Sequence, residues 1–208
     1  MNLYTWNTPN GQKPVLLLEE LGASYEIVPI DITAGDQDDA EFRRINPNGK
    51  IPALRDGEIT IFESGAILLY LAERADRFLP ADPARRMDVL SWTFWQVGGL
   101  GPMAGQWGNF QRRDERDDYA EQRYRDETVR LLGVLEERLK GGEWLSGAGY
   151  TIADMMSWPW VKGIFDLFGP NDEISPQKLP QVHAWSEAIG KREATVRALE
   201  KLEKAVSQ

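Results

Sequence analysis

The chain has 208 residues, of which 42% are hydrophobic and 27% are charged, a composition typical of soluble globular proteins. Its net charge of −9 argues against binding to nucleic acid and to anionic membrane surfaces. The absence of cysteine excludes disulfides, thiolate metal sites and a redox centre based on a protein thiol. The one histidine, His183, lies in an amphipathic helix pattern and is interpreted as structural, so we expect no metal site.

The N-terminal residues, MNLYTWNTPNG, lack the basic start and the apolar stretch of a secretory signal peptide. Elsewhere in the sequence no apolar run is long enough to span a bilayer. We therefore expect a cytoplasmic protein whose partners include neither nucleic acid nor membrane.

The first part of the chain alternates between strand and helix patterns. Its predicted elements are the strand Leu3–Trp6, the turn Asn7–Gly11, the helix Lys13–Leu21, the strand Tyr25–Pro29 and the short helix Asp38–Ile45. Two strands separated by a helix indicate a parallel pair with a helical crossover.

Residues 46–66, NPNGKIPALRDGEITIFESGA, contain two short apolar runs, Ile51–Leu54 and Ile59–Phe62. Asp56-Gly57 separates these runs, and this dipeptide predicts a β-hairpin. The order of strands and helices up to this point is that of a thioredoxin-like domain.

Two positions that flank the hairpin runs point to a binding site. Pro52 removes a backbone donor, so it is expected at a strand start or edge, where a cis Ile51–Pro52 bond is allowed. After the hairpin, Ser64 is expected to cap a helix over Ser64–Ala75, whose first N–H groups form an anion site. An edge of this kind can pair with an extended peptide while the helix end holds its carboxylate.

The second part of the sequence predicts helices only. Asp82-Pro83 indicates a helix start, and Thr151 and Asp154 match the capping-box pattern of another. The predicted helices are Arg85–Leu100, Asp117–Leu139, a helix from Thr151, Leu179–Lys191 and Ala194–Ala205. We divide the chain into an α/β domain at 1–78, a linker at 79–84 and an all-helical domain at 85–208.

The turn Thr8-Pro9-Asn10-Gly11 lies at the corner where a thioredoxin-like fold holds its reactive group. Thr8 offers a hydroxyl and Asn10 an amide, and either can donate a hydrogen bond to a thiolate beside a helix N-terminus. Since a free thiol has a pKa of roughly 8.5, a few such donors raise the thiolate fraction at neutral pH. The alternative is that Thr8 or Asn10 only caps the helix.

Three glycines, Gly98, Gly99 and Gly101, fall within a predicted helix, where each costs up to about 1 kcal/mol relative to alanine. Close approach of another backbone, as at a two-fold axis between subunits, is one explanation. The other is that the helix ends or kinks at Pro102.

The segments GKIPAL at 49–54 and FESGAI at 62–67 resemble the glutathione-binding half of cytosolic glutathione transferases. The resemblance implies a thioredoxin-like α/β N-terminal domain followed by an all-α C-terminal domain. It further implies that Pro52 is cis, that the Ile51 backbone pairs with the cysteinyl unit of glutathione, and that Glu63 and Ser64 hold its γ-glutamyl end.

The segments TPNG at 8–11 and FWQVGGLGPM at 94–103 are similar to the bacterial nu class of this family. That class reduces disulfides with two glutathiones, or one glutathione disulfide, in its cleft, so both sulfurs come from ligand. The resemblance implies a homodimer and glutathione contacts from Asn10, Gln37 and Lys50. It also implies that Arg130 reaches the ligand from the partner subunit.

These observations predict a glutathione-dependent disulfide reductase in which Thr8 and Asn10 hold the glutathione thiolate. Conjugation of glutathione to electrophiles, or reduction of peroxides, is the alternative enzymatic function. A regulator that binds glutathione without turnover is the second alternative. The sequence leaves open whether the partner is a disulfide or an electrophile and whether one or two glutathiones bind.

Overall fold

The structure is a computed structural model that describes residues 1–169 and 171–207. Its contacts divide the chain into two compact units, residues 1–79 with 190–208 and residues 80–189. The last helix therefore groups with the first unit, whereas the sequence assigned it to the helical domain. The predicted domain boundaries remain a prediction, and Pro170 and Gln208 of the predicted helical domain lie outside the described residues.

The first unit begins with strand, helix and strand, as the sequence pattern predicts. Its elements are β1 (Asn2–Thr5), α1 (Pro9–Leu21), β2 (Glu26–Pro29), a 3₁₀ turn (Asp36–Asp38), α2 (Ala40–Ile45), β3 (Ala53–Asp56), β4 (Ile59–Phe62) and α3 (Ser64–Ala75). The strand β4 and the helix α3 have the predicted bounds. The strand β3 begins after Pro52 rather than at Ile51, because proline cannot donate to the ladder.

The four strands form one sheet in the order β2-β1-β3-β4. The β1–β2 pair is parallel and the other two pairs are antiparallel. Helices α1 and α3 pack against each other. The centre of this unit consists of fully buried aliphatic side chains from β1, α1, β3 and α3, namely Leu3, Leu16, Leu17, Leu54, Ile67 and Leu68.

Two helix starts in this unit differ from the sequence prediction. The Thr8–Gly11 segment is not a separate turn, because Thr8 is the N-cap of α1 and the helix begins at Pro9. The expectation that Ser64 caps α3 is wrong, since Glu63 occupies the cap position with a φ of 73° and Ser64 is the first helical residue. The Ile51–Pro52 bond is cis, as the family resemblance implied.

The second unit contains five helices within the described residues: α4 (Pro83–Trp95), α5 (Gly101–Gln111), α6 (Asp118–Leu139), α7 (Ile152–Phe168) and α8 (Pro180–Gly190). Asp82 caps α4 as predicted and accepts from the backbone N–H of Arg85 at 3.0 Å. From α6, the buried Glu136 carboxylate accepts backbone N–H groups of Gln181 and Val182, both at 3.0 Å, and so caps α8 from a distant part of the chain.

A π-helical segment, Gln96–Leu100, joins α4 to α5 where the sequence left two explanations open. A Cβ at Gly101 would come within 2.7 Å of the Gln96 side-chain nitrogen, so packing inside the chain explains this glycine. The helix irregularity expected near Pro102 is thus observed as a widened turn. The close approach of another chain at Gly98 and Gly99 stays a prediction.

The helix α7 starts with the predicted capping box between Thr151 and Asp154. Asp154 is fully buried and accepts from the Thr151 N–H at 3.0 Å and from the Leu145 N–H at 3.0 Å. The Trp185 indole N–H also donates to it at 2.9 Å. This one carboxylate therefore joins the α7 start to the preceding loop and to α8.

The last helix, α9 (Glu193–Val206), packs on α1 of the first unit. Arg192 donates to Glu20 at 2.5 Å, and Arg197 and Lys201 donate to Glu19 at 3.3 and 3.2 Å. Glu19 and Glu20 lie in the last turns of α1, so these ion pairs fix α9 along that end of the helix.

The corner between β1 and α1 is too tight for any side chain at position 11. An ideal Cβ on Gly11 would lie 2.5 Å from the Thr5 hydroxyl and closer still to the Trp6 carbonyl oxygen. The Thr5 hydroxyl donates to the Gly11 carbonyl at 3.1 Å, and the Gly11 N–H donates to the Thr8 hydroxyl oxygen at 3.2 Å. Glycine is therefore required for the chain to turn from the sheet into the helix here.

Replacement of Gly11 by alanine should destabilise the protein by about 2 kcal/mol or more, because the new methyl overlaps backbone that cannot move away. The control is Gly133→Ala in the exposed middle of α6, where a Cβ meets open space among the described residues. That change should stabilise by up to about 1 kcal/mol. Urea unfolding measures both, and a Gly11→Ala protein as stable as the wild type would contradict the tight corner.

Replacement of Asp154 by asparagine should lower the free energy of unfolding by roughly 2–3 kcal/mol. The carboxylate accepts buried N–H donors in the wild type, and the amide NH₂ of asparagine cannot accept them. Unfolding should be measured near pH 8, since burial raises the pKa of Asp154 to about 6. The matched control is Asp118→Asn, whose side chain is 91% exposed and which should change stability by less than about 0.5 kcal/mol. Equal effects of the two changes would contradict the bridging role of Asp154.

Candidate active site

The strand register brings three segments of the predicted site to one end of the sheet. Tyr4 of β1 pairs with Ala53 of β3, and Ala53 in turn pairs with Phe62 of β4. The corner after β1, the cis proline before β3 and the α3 start after β4 are therefore neighbours. Residues that are distant in the sequence, from Thr8 to Glu63, thus share one region of the first unit.

Thr8 and Asn10 lie at the positive end of α1, where the helix favours negative charge. The Thr8 oxygen accepts the Gly11 N–H, which leaves its O–H proton able to donate. Both side chains are partly exposed. The capping alternative for Thr8 is therefore observed, and it is compatible with donation to a ligand.

Lys13 is a buried residue of this region that the sequence analysis did not single out. It is 2% exposed, and its ammonium donates to the Asn10 carboxamide oxygen at 2.8 Å and to the Ser64 hydroxyl at 3.4 Å. Burial lowers the pKa of Lys13 to about 7, and the negative charge of Glu63 opposes this shift. The one available signal was its position inside the apolar helix pattern, where a lysine is unusual.

Gln37 lies in the 3₁₀ turn and Lys50 in the loop before β3, and these two segments meet at Gly49. A Cβ on Gly49 would be 3.1 Å from the Gln37 carbonyl oxygen, and Gly49 has a φ of 60° that favours glycine. The buried Asn46 shapes the loop before β3, since its side chain donates to the Lys50 carbonyl at 2.5 Å. Lys50 is exposed and Gln37 is half-buried, so both can reach a ligand at the surface.

Ile51, Pro52, Glu63 and Ser64 form the wall between β3 and α3. Pro52 and Ser64 are buried, Ile51 is half-buried, and Glu63 is exposed. The φ of 73° at Glu63 is rare for a residue with a side chain, and strain of this kind gathers at functional sites. This wall presents a carboxylate and the N-terminus of α3 to an approaching ligand.

Arg130 lies in the helical unit, on α6, and not in the unit that holds the other predicted residues. Its guanidinium makes two hydrogen bonds to Glu127, at 2.8 and 2.7 Å, and its side chain is 60% exposed. It lines a cavity of about 600 Å³ together with Met103, Tyr119, Gln122 and neighbouring residues of α6. Its contact with glutathione from a partner subunit stays a prediction.

Other features of the structure lie apart from the predicted site. A cavity of about 710 Å³ is lined by Tyr4, Phe42, Arg44, Arg55 and Thr60, among others, and by no predicted site residue. His183 stacks on Phe165 with ring centroids 4.1 Å apart and bonds the Ile174 carbonyl at 2.9 Å, which fits a structural role.

The described part of the chain contains neither a candidate metal cluster nor a helix that could span a membrane. No cluster of three or more His, Cys, Asp or Glu side chains there could hold a metal ion. In the same residues, no helix combines the length and apolar character needed to cross a bilayer.

The chemistry of this region follows from a helix N-terminus, a hydroxyl and a carboxamide that converge around a partly exposed corner. Such a corner can hold an anion, and it can lower the pKa of a thiol placed there. The chain contains no cysteine, so any reactive sulfur at this corner must come from a bound molecule.

Comparison with known protein families places both parts of the chain. The N-terminal domain family of glutathione S-transferase matches residues 1–73, and the C-terminal domain family of glutathione S-transferase matches residues 118–188. Together these matches cover more than half of the sequence.

Among characterised relatives, the chain is 44% identical over 207 residues to disulfide-bond oxidoreductase YfcG of Escherichia coli, covering 96% of this chain and 94% of that protein. A glutathione transferase from Pseudomonas putida, solved with one glutathione disulfide per subunit, is 37% identical with a TM-score of 0.91 and coverage of 96% and 90%. A glutathione transferase from Burkholderia graminis, solved with two glutathione molecules per subunit, is 40% identical with a TM-score of 0.89 and coverage of 96% and 87%.

The family matches, the strand order and the helical second unit agree with one another. They confirm the fold predicted from the sequence, a thioredoxin-like α/β part followed by a helical part. The chain belongs to the glutathione transferase family and is an enzyme of the glutathione transferase type.

Proposed function

We propose that this protein is a glutathione-dependent disulfide reductase of the nu-class type, in which Thr8 and Asn10 hold the thiolate of bound glutathione. The observation that carries the proposal is the α1 corner itself. It offers a hydroxyl and a carboxamide at a helix N-terminus, in a chain that has no sulfur nucleophile of its own. The name of the Escherichia coli relative supports the reaction, and the glutathione ligands of the two solved relatives support the substrate.

The reaction balances with two glutathiones and one substrate disulfide. The bound thiolate attacks one substrate sulfur, the substrate S–S bond breaks, and the departing thiolate takes a proton from solvent. A second glutathione, as thiolate, then attacks the mixed disulfide at its glutathionyl sulfur. The products are glutathione disulfide and two substrate thiols, so two electrons pass from glutathione to the substrate.

The other predicted residues have binding roles in this proposal. Glu63 and Ser64 hold the γ-glutamyl end of glutathione, the Ile51 backbone next to cis Pro52 pairs with its cysteinyl unit, and Gln37 and Lys50 contact its remaining surface. A glutathione disulfide and two glutathiones both contain two glutathionyl units, which supports a cleft with room for both sulfurs. A cytoplasmic location would supply the reduced glutathione that the reaction consumes.

Two other functions use the same site. Attack of the thiolate on an electrophilic carbon would give conjugation, and attack on a peroxide oxygen would give peroxide reduction. A protein that binds glutathione without turnover would be a regulator. Retention on a glutathione resin with no reaction in any assay would favour the regulator.

Removal of either donor should slow disulfide reduction by about tenfold or more, because each unit of rise in the thiol pKa lowers the thiolate fraction tenfold. The variants are Thr8→Ala and Asn10→Ala, and the assay is reduction of bis(2-hydroxyethyl) disulfide by glutathione. Conjugation of a chloronitrobenzene is measured in parallel and should be weak in the wild type.

Thr8→Ser keeps both the helix cap and the hydroxyl, so it should restore most of the activity that Thr8→Ala loses. Thr60→Ala on the exposed face of β4 is the control for a threonine outside the site. Strong conjugation with little disulfide reduction in the wild type would contradict the reductase function and indicate an ordinary transferase.

The homodimer is also part of the proposal, and an exposed apolar stripe along α4 and the π-helical segment after it supports it. Met87 and Phe94 lie on α4 and Val97 lies in the π-helical segment, and they are 53%, 61% and 36% exposed. Gly98 borders the stripe and is also exposed. Large apolar side chains in a row are typical of a surface that another chain covers.

Phe94→Glu should convert a dimer into single chains, because it places a charge in the middle of the apolar stripe. Val196→Glu on α9 is the matched control, since Val196 is a 43% exposed apolar residue that belongs to the first unit rather than to the stripe. Sedimentation analysis should give two chains for the wild type and the control, and one for Phe94→Glu. A wild type that sediments as a single chain would contradict the dimer.

A further inference from the structure

The proposed function assigns no role to Lys13, whose ammonium is buried in the region of the site. Lysine is rarely buried this fully, because removing the ammonium from water is unfavourable. Its environment disfavours its own charge, as the lowered pKa shows. A methionine or leucine would fill the same space without that cost, so packing alone does not explain a lysine at this position.

The contacts of Lys13 determine which way the Asn10 carboxamide faces. In its protonated form Lys13 carries only donors, so the Asn10 atom 2.8 Å from its nitrogen is the carbonyl oxygen. The amide NH₂ is the other branch of the same planar group and therefore points away from Lys13. Without the lysine, the carboxamide could rotate by half a turn and present its oxygen to the site instead.

The second contact of Lys13 joins α1 to the start of α3. The ammonium also donates to the Ser64 hydroxyl at 3.4 Å, and Glu63 is the charged group that acts on it electrostatically. The charged residues of α9, which also packs on α1, form ion pairs with Glu19 and Glu20 in the last turns of α1. The α9 ion pairs thus lie at the opposite end of α1 from the predicted site.

We propose that Lys13 is a positioning residue that holds the Asn10 carboxamide with its NH₂ towards the sulfur of bound glutathione and ties it to Ser64. This inference rests on the proposed function, since it assigns Lys13 a part in the same site. Lys13 acts through Asn10 and does not touch the reacting sulfur. In the wild type the thiolate therefore meets a donor, whereas a rotated carboxamide would present an acceptor and disfavour the charge.

The test is a double-mutant cycle on the thiol of bound glutathione. The thiol pKa is read from the ultraviolet absorbance of the thiolate as the pH is raised, for wild type, Lys13→Met, Asn10→Ala and the double variant. Lys13→Met and Asn10→Ala should each raise the thiol pKa by about one unit, and the double variant should match Asn10→Ala alone. Lys140→Met, a surface lysine paired with Glu137, is the control and should leave the thiol pKa unchanged.

Each result of the cycle decides the role of Lys13. Additive shifts would overturn the inference, because they would mean that the lysine charge acts on the thiolate independently of Asn10. A wild-type thiol pKa in Lys13→Met would overturn it as well. Failure of the wild-type protein to bind S-methylglutathione or to form the thiolate would instead contradict the proposed function, and the inference with it.

Folding stability distinguishes a positioning role from a structural one. Replacing a lysine that only supports the fold would lower the stability, whereas replacing a positioning lysine should not. A lysine whose pKa is lowered in the folded state binds fewer protons there than in the unfolded chain. The wild type should therefore gain stability relative to Lys13→Met as the pH rises from about 7 to about 10. Lys13→Met should be at least as stable as the wild type at neutral pH, and Lys13→Leu provides a second apolar variant for both measurements. Marked loss of stability in both variants would overturn the inference in favour of a structural role.

Discussion

The absence of a side chain at Gly11 is the constraint on which the site depends. Because the chain can turn sharply there, α1 starts directly after β1 and its N-terminus faces the end of the sheet. The strand register then places cis Pro52 and Glu63 at the same end. A helix dipole, a hydroxyl and a carboxamide thus converge without any catalytic side chain that carries a charge or a sulfur. This arrangement suits a reaction whose nucleophile arrives as part of the substrate.

The same region contains features that lower stability, as functional sites often do. Lys13 is a buried amine whose environment disfavours its charge, and Glu63 adopts a backbone conformation that residues with side chains seldom take. Elsewhere, buried carboxylates of the helical unit accept hydrogen bonds from groups that are distant in the sequence. Asp154 accepts several buried donors at the start of α7, and Glu136 caps α8 from α6. A strained backbone residue and a buried cation therefore occur together at the proposed glutathione site, while the buried carboxylates of the helical unit are held by hydrogen bonds.

Much of the fold could be predicted from local sequence signals. The bounds of β4 and α3, the Asp82 cap and the capping box of α7 all follow from short-range patterns that the structure confirms. Local reasoning failed where two signals overlapped. The dense turn residues of Thr8–Gly11 also suit a helix start, since threonine caps and proline fits the first turn, and the structure takes that option.

The part of the site that could not be predicted depends on contacts between distant residues. Lys13 and Ser64 meet only because α1 and α3 pack together, and no pattern near Lys13 reveals its partners. The role of Asn46, which shapes the Lys50 loop, could not be recognised from the sequence either, because many asparagines lie in turns. Resemblance to the family supplied Gln37, Lys50 and Arg130, and physical reasoning from the residues alone would not have selected them.

The central claim is that the sulfur of bound glutathione lies at the N-terminus of α1, and a crystal structure of the protein with glutathione tests it most directly. We expect the sulfur within about 3.5 Å of the Thr8 hydroxyl or the Asn10 amide, with the γ-glutamyl group at Glu63 and Ser64. A sulfur out of reach of both Thr8 and Asn10 would contradict the account, even if the rest of the glutathione occupied the predicted residues.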